Sequence, residues 1–519
     1  MKSLACALLL GVSVPALAQS AAEHAGHADT LVSARPAILE GYGAGGFPAD
    51  TRVPAAQAFF DNGMQLAHAF AHEASIAAMK EAVRLDPSCA MCVWGQAWTA
   101  GPTINYGKNE KEIADLSKLV ERAKAISGPT TSTLHRQLIA ALAARYRKGN
   151  PEDGALAFAA IMNELARQHP NDDVIATLAA DAWMQAPSKG DAGYKANNSR
   201  AVALIEPVLA RRPDYSPAIH FYIHATEESG VGPRAEPYAN RLGALAPRSQ
   251  HLIHMPSHTF YWVGRYADAA RVNRQAVDIG IAQAKAMGSP PPEGVFGLPY
   301  HAHNVTFGLG GALMAGDADT ALYLGRQLVG VAEHKRMDSP FAQILGGGGY
   351  VALALFAQPA EVFSLAAPSR PYLKGLWHYA RGEAATRARD ARAVRAEAAA
   401  IVIPPADKKK DGWSWQAAQS LHIARAVLEG RAAMLDGRFS EAAAAFRRGA
   451  ELQEQPAYGK AADPPLWWFP VRRSLAEARL ALGDRDGARE EAEATLKVRP
   501  KDPGALALLA RLDGKIAAR

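Results

Sequence analysis

The sequence predicts an all-α chain built from repeated helix pairs, and three observations support that reading. Alanine is abundant, while strand-type alternation of apolar and polar residues is scarce. Laid over itself with a shift of 34, the stretch from Arg212 to Tyr266 matches at spaced points. Pro213 falls on Pro247, His220 on His254, His224 on His258, Gly230 on Gly264 and Ala235 on Ala269. A period of that length, with a small residue at the turn and a proline at the close, marks a helix–turn–helix unit that stacks on its neighbours. Finally, a chain of 519 residues exceeds one ordinary core, so several domains or an elongated array is expected.

The first eighteen residues read as an export signal. Lys2 precedes the apolar run LACALLLGVSV, and Ala16-Leu17-Ala18 forms a small-x-small cleavage site. The run is too short for a permanent membrane helix, and no later stretch is long and uncharged enough. A periplasmic or secreted chain is therefore expected. From Gln19 to about Pro54 the sequence is rich in Gly, Ala and Pro, with His24 and His27 in AEHAGHAD. That pair suits either a metal-scavenging tail or an accidental doublet in a flexible leader. The net charge of +6 is small and scattered apart from Lys408-Lys409-Lys410, which argues against nucleic-acid binding.

Each element follows in order. The unit from about Ala55 to Pro87 has a helical apolar period, Gly63 where two helices approach closely, and a terminal Asp-Pro. The next opens at Cys89 and runs through Trp94 and Trp98 to Gly101-Pro102. Its second helix lies in KNEKEIADLSKLVERAKAI, closed by Gly128-Pro129. Helices are expected at 133–146, 152–168, 172–186 and 198–211, with PSKGDAGYKAN as a long loop between the last two. Two histidine-bearing units occupy about 213–286. GSPPPEGVFGLP then breaks the pattern before His301 and His303 open another helix, whose turn is Gly316-Asp317. Residues 291–403 read as an irregular helical segment, and 404–519 as two further units with a closing helix at 503–518.

These residues resemble the tetratricopeptide repeat family over most of 55–290 and again over 420–518. The resemblance implies a right-handed superhelix of helix pairs, the first helix of each lining a concave wall that grips a protein or peptide. On that resemblance the wall presents His220, His224, Glu227 and Glu228 from one unit. The next unit presents His251, His254, His258, Tyr261 and Trp262. The histidine and Cys-x-x-Cys decoration resembles that of a subset of exported bacterial repeat proteins.

Spacing supplies the chemistry. His220, His224 and Glu227 stand at i, i+4, i+7, so they share one helical face, and His254 and His258 repeat the i, i+4 step with His251 one turn earlier. Adjacent helices pack roughly 8–10 Å apart, so imidazoles from both units are expected to meet one ion about 2.0–2.1 Å from each nitrogen. Neutral imidazole suits copper, zinc, iron and nickel, and copper or zinc is the expected occupant, with Glu227 either a further ligand or an acceptor that fixes a histidine tautomer. His301 and His303 either complete the site or form a polar helix start. Pro256 implies a helix that begins there or a kink between His254 and His258. His68 and His72 have the same spacing, with His72 read as packing. His135, His334, His378 and His422 are isolated and read as surface or satisfied core.

A metal-dependent enzyme, with Glu227 or Glu228 as general base, is the rival from another class. A metal-free adaptor using Trp94, Trp98, Tyr261 and Trp262 as apolar anchors is the third reading. No H-E-x-x-H, G-x-S-x-G or phosphate-binding nucleotide loop occurs in the sequence. Cys89 and Cys92 suit a disulfide, a redox pair or a soft copper(I) site. Val93 follows Cys92, so there is no C-x-x-C-H haem attachment motif.

Overall fold

A computed structural model describes residues 36–515 apart from 130, 290, 292–293 and 460–463. The export segment, His24 and His27 lie outside the described residues. Among the described residues two compact units are present, one of residues 36–40 and 44–231, the other of residues 41–43 and 232–515. The boundary falls inside the stretch read as one array. Among the described residues the regular elements are helices, with no strand, and no helix is long and apolar enough to cross a membrane.

The first unit comprises α1 (Pro54–His68), α2 (His72–Leu85), α3 (Ala90–Thr99), α4 (Glu110–Ile126), α5 (Thr133–Arg145), α6 (Pro151–Gln168), α7 (Asp173–Met184), α8 (Gly190–Arg211) and α9 (Ser216–Ser229). Successive helices pair, and the first helices of successive pairs touch as well, α1 with α3, α3 with α5 and α7 with α9. This is the stacked helix-pair fold expected from the 34-residue period. Glu112 and Asn109 close a reciprocal capping box at the start of α4, satisfying two otherwise orphan amides. Gly63 packs as expected, since a Cβ there would stand 2.8 Å from Met79 Cε. One boundary differs from expectation. The long loop before residue 198 is mostly helix, because α8 starts at Gly190 and Asn197 Nδ2 reaches back to the Ala186 carbonyl at 3.0 Å. The polar residues that suggested a loop are thus the ones that fasten the turn.

Cys89 and Cys92 form a disulfide across the first turn of α3 and are buried in the core with Trp94. A bridge closing so short a loop restricts the unfolded chain only modestly. Cys89→Ser is expected to lower stability by about 2 kcal/mol, read as a fall in melting temperature that matches the effect of reductant on the unaltered chain. An unchanged melting temperature in both cases would contradict this.

The second unit comprises α10 (Glu236–Leu245), α11 (Gln250–His254), α12 (Pro256–Trp262), α13 (Tyr266–Ala286), α14 (His301–Ala315), α15 (Ala318–Gly330), α16 (Pro340–Phe356), α17 (Pro359–Ser364), α18 (Pro371–Arg387), α19 (Ala391–Ala400), α20 (Gly412–Leu435), α21 (Phe439–Gln453), α22 (Pro456–Gly459), α23 (Arg472–Ala481), α24 (Arg485–Val498) and α25 (Pro503–Leu512). Gly264 closes α12 with φ of 77°, a left-handed conformation that favours glycine, and a Cβ there would stand 2.1 Å from the Pro500 carbonyl oxygen. Its repeat mate Gly230 closes α9 in the first unit with φ of 79°.

The middle segment lost its period in the sequence for a packing reason. Helix α16 contacts α14, α15, α18 and α20, so no single polar face remains. Its four glycines, Gly346–Gly349, permit that crowding: a Cβ on Gly347 would stand 2.1 Å from Leu376, and one on Gly349 2.6 Å from the Gly325 carbonyl oxygen. The short α17 is inserted before α18. The closing helix α25 ends at Leu512, earlier than read from sequence, and Asp502 caps it through the Ala505 amide while pairing with Arg473.

Candidate metal centre

In the first unit, His220 and His224 lie one turn apart on α9, with ring centroids 5.1 Å apart. His220 Nδ1 donates to the His68 carbonyl at 2.7 Å, which fixes its tautomer and leaves Nε2 with a lone pair. His68 itself is buried against Trp98 and Phe221, and burial pushes its pKa down to about 4. His72 stacks on Phe70 and meets Tyr106 edge-on, with burial and the Lys108 charge lowering it to about 4. Glu227 and Glu228 act on Tyr194, whose phenol is raised well above its ordinary value by burial first and by their charges second.

In the second unit, three imidazoles converge. His254 and His258 come from the α11–α12 segment and His303 from α14, with a potential ligand atom on each, all within 4.8 Å of one another. His254 Nε2 and His258 Nε2 are 3.1 Å apart. Two nitrogens bound to one tetrahedral ion at about 2.05 Å would be separated by roughly 3.3 Å. The pair is therefore close to ligating geometry.

The orientation of His254 is set from outside the triad. Asn273 on α13 donates Nδ2 to the Ala269 carbonyl at 2.8 Å, which turns its Oδ1 toward His254 Nδ1 at 2.6 Å. An amide oxygen only accepts, so Nδ1 carries the hydrogen and Nε2 presents its lone pair toward His258. This is the outer support that ligating histidines commonly have. Phe307 forms one wall, with centroid distances of 4.9, 4.3 and 4.7 Å to His254, His258 and His303. His254 is fully buried, His258 is 6% exposed and His303 is half-buried.

Of the two expectations at Pro256, a helix that begins there or a kink, the first is met in that α12 begins at Pro256, with α11 ending at His254. Met255 is helical, with φ −49° and ψ −39°, so α11 runs into α12, yet the proline has no amide for the Leu252 carbonyl. The His258 amide bonds to Met255 rather than one residue further back.

His301 and His303 do different things. Two residues on a helix are about 200° apart around the axis, so when His303 faces the triad His301 faces away. It is buried edge-on to Phe296, and burial pushes its pKa down to about 4. His251 lies against the Tyr300 ring at 4.4 Å, and Tyr300 adopts a left-handed φ of 64° just before α14. Such backbone costs about 1–3 kcal/mol, and here it precedes the helix that brings His303 in.

Of the aromatic residues read as anchors, Trp94, Trp98 and Tyr261 are buried in their units and Trp262 is half-buried. Trp94 and Trp98 stack in parallel at 5.9 Å, with Trp94 Nε1 donating to the Leu138 carbonyl. The Tyr261 hydroxyl donates to the Trp468 carbonyl at 3.3 Å, and Trp262 lies under Arg499. Of the isolated histidines, His135 pairs with Asp50 and His378 with Glu397.

Sequence reading missed Asn273. A signal was present: Asn273 sits in the stripe Ala269, Asn273, Ala276, Gly280, where an apolar residue belongs. A polar side chain on a buried stripe needs a partner.

No family model matches the chain, and a search of curated proteins finds no match. Among solved structures the chain is similar to yeast Tom70, with 11% identity and a TM-score of 0.32 over 89% of this chain and 88% of that one. It is similar to the APC/C hetero-tetramer Cut9-Hcn1, with 13% identity and a TM-score of 0.30 over 88% and 76%. The human IFIT1 dimer with m7Gppp-AAAA gives 11% identity and a TM-score of 0.27 over 89% and 92%. At these values the likeness says nothing of what this chain binds.

Proposed function

We propose that this is an exported helical-repeat protein that holds one transition-metal ion, copper or zinc, on His254, His258 and His303, and presents its helix pairs to a protein or peptide partner. The metal reading rests on one observation: two buried Nε2 atoms 3.1 Å apart, one of them held in its ligating tautomer by Asn273. Without an ion, that contact is a hydrogen bond donated by His258 Nε2–H, and a metal would replace this proton. Three neutral imidazoles beside a phenyl wall match the nitrogen preference of both metals. Export rests on Lys2, the apolar run and the Ala16–Ala18 cleavage pattern. The partner reading rests on the stacked helix pairs and is the least specific part.

The test is metal analysis of the purified mature chain after loading with copper(II) or zinc and exhaustive dialysis. About one tightly held equivalent is expected. No retained metal, or retention equal in a variant lacking all three histidines, would sink the proposal. Asn273→Leu should keep the ligands but weaken affinity by about 10–100-fold, the ordinary effect of losing a histidine's outer partner.

A further inference from the structure

The last helix pair of the second unit packs back onto the turn that follows α12. The Tyr266 hydroxyl donates to the Pro500 carbonyl at 3.0 Å, and Gly264 leaves no room for a Cβ beside the same carbonyl. With α25 held there, a cavity of about 210 Å³ lies among α14, α16, α20, α23 and α25. An engineered cavity of about 150 Å³ takes up benzene, so this one has room for one ring with roughly two or three further heavy atoms. Leu313, Leu355, Phe469 and Leu508 supply its apolar wall, while Arg431, Arg473, Ser474 and Glu477 supply its polar atoms.

The polar groups left over after internal pairing are chiefly donors. Arg431 gives Nε to Glu383 Oε1 at 3.2 Å, and its two terminal nitrogens bond no described residue. Arg473 spends Nε and Nη2 on Asp502, with Nη2 also on Met314 Sδ, so Nη1 remains. Ser474 is 6% exposed, and its hydroxyl bonds none of the described residues. The carboxylate in the lining, Glu477, is taken by Arg511. The side chains of Glu383 and Asp502 are 6% and 0% exposed, against 26% and 23% for Arg431 and Arg473, so each pair turns its cation to the accessible side.

The formal charges around the cavity nevertheless cancel. Arg431, Arg473 and Arg511 stand against Glu383, Asp502 and Glu477. A charged occupant would add a buried charge with no counter-ion of its own, which is costly. A neutral acceptor meets the spare donors without that penalty.

We infer that this cavity binds a small neutral molecule with a one-ring apolar body and a carbonyl oxygen, a ketone or ester rather than an acid or an amine. The ring would lie against Leu313, Phe469 and Leu508. The carbonyl oxygen has two lone pairs and would accept from Ser474 Oγ and a terminal nitrogen of Arg431. In a cavity so small one occupant reaches all of its walls.

The test is a ligand-detected nuclear magnetic resonance titration of the full chain with four probes of similar body: acetophenone, toluene, benzoate and benzylamine. Acetophenone is expected to bind about tenfold tighter than toluene, the worth of one good net hydrogen bond, and tighter than either ion. Ser474→Ala should cut that advantage by about threefold or more while leaving toluene unchanged. Ala505→Leu, on the α25 wall, should weaken both neutral probes by filling the space. Helical dichroism checks that each variant folds, and Ser474→Ala decides alone if Ala505→Leu does not. Equal affinities, either ion ahead of acetophenone, no binding of any probe, or an acetophenone advantage unmoved by Ser474→Ala would overturn the inference. Metal content is measured on the same samples, so failure here is distinguishable from failure of the triad.

Discussion

Replacing His254 and His258 together with alanine is expected to abolish tight metal binding while leaving the helical dichroism of the chain intact. A four-ligand structural zinc site is worth about 10–16 kcal/mol, which is on the order of a hundredfold or more in affinity for each imidazole lost. Two lost ligands therefore move a tight site out of the range that survives dialysis. His301→Ala is the matched control, because His301 faces away from the triad although it is only two residues from His303. Competition with a chromophoric chelator measures both. Equal affinity in the double variant and the unaltered chain would dismiss the triad, and a collapse with His301→Ala alone would show the wrong face of α14 had been chosen.

Acid is expected to destabilise the first unit through His68. Its folded pKa is pushed down to about 4 by burial, below the unfolded value of about 6.5. The stability tied to the neutral ring is therefore present above about pH 6.5 and is lost as pH falls through about 4. Integrated over that window it amounts to about 3 kcal/mol. Asp181, raised to about 6 by burial, works in the opposite sense, since its contribution is present at low pH and lost as pH rises through that value. The comparison must therefore be between variants at each pH. His68→Phe, which stays neutral throughout, should lose most of the difference in hydrogen-exchange protection of α1 and α3 between pH 7 and pH 4.5. An identical pH response in the variant and the unaltered chain would refute the assignment.

Much of the fold was legible because it is periodic. Pro213 and Pro247, Gly230 and Gly264, and the histidine pairs at a shift of 34 are local marks of a repeating unit, and the helix pairs follow them. The parts that were not legible depend on what packs around a helix. Residues 341–356 show no one-sided stripe because α16 is enclosed by four helices. Gly190 and Asn197 resemble loop residues, yet they start α8 and fasten its turn.

The candidate site divides in the same way. The spacing of His254 and His258 is visible in the sequence, as is the disturbance by Pro256. The choice of His303 over His301 needed the rotation of α14, because both are equally close along the chain. Asn273 shares no repeat register with another asparagine, since the equivalent position is Ala239. Its role emerged only when α13 was seen to lie behind His254.

The break at Pro256 has a bearing on selectivity. His254 and His258 sit on either side of a joint that lacks one main-chain tie, so their separation is less rigid than on a continuous α-helix. A pair mounted in this way can close onto ions of unequal radius at little cost. Discrimination between metals would then fall to nitrogen affinity and to supply in the compartment, and the order of affinities should follow the general ranking of divalent ions, copper above zinc, rather than the dimensions of a fixed cage.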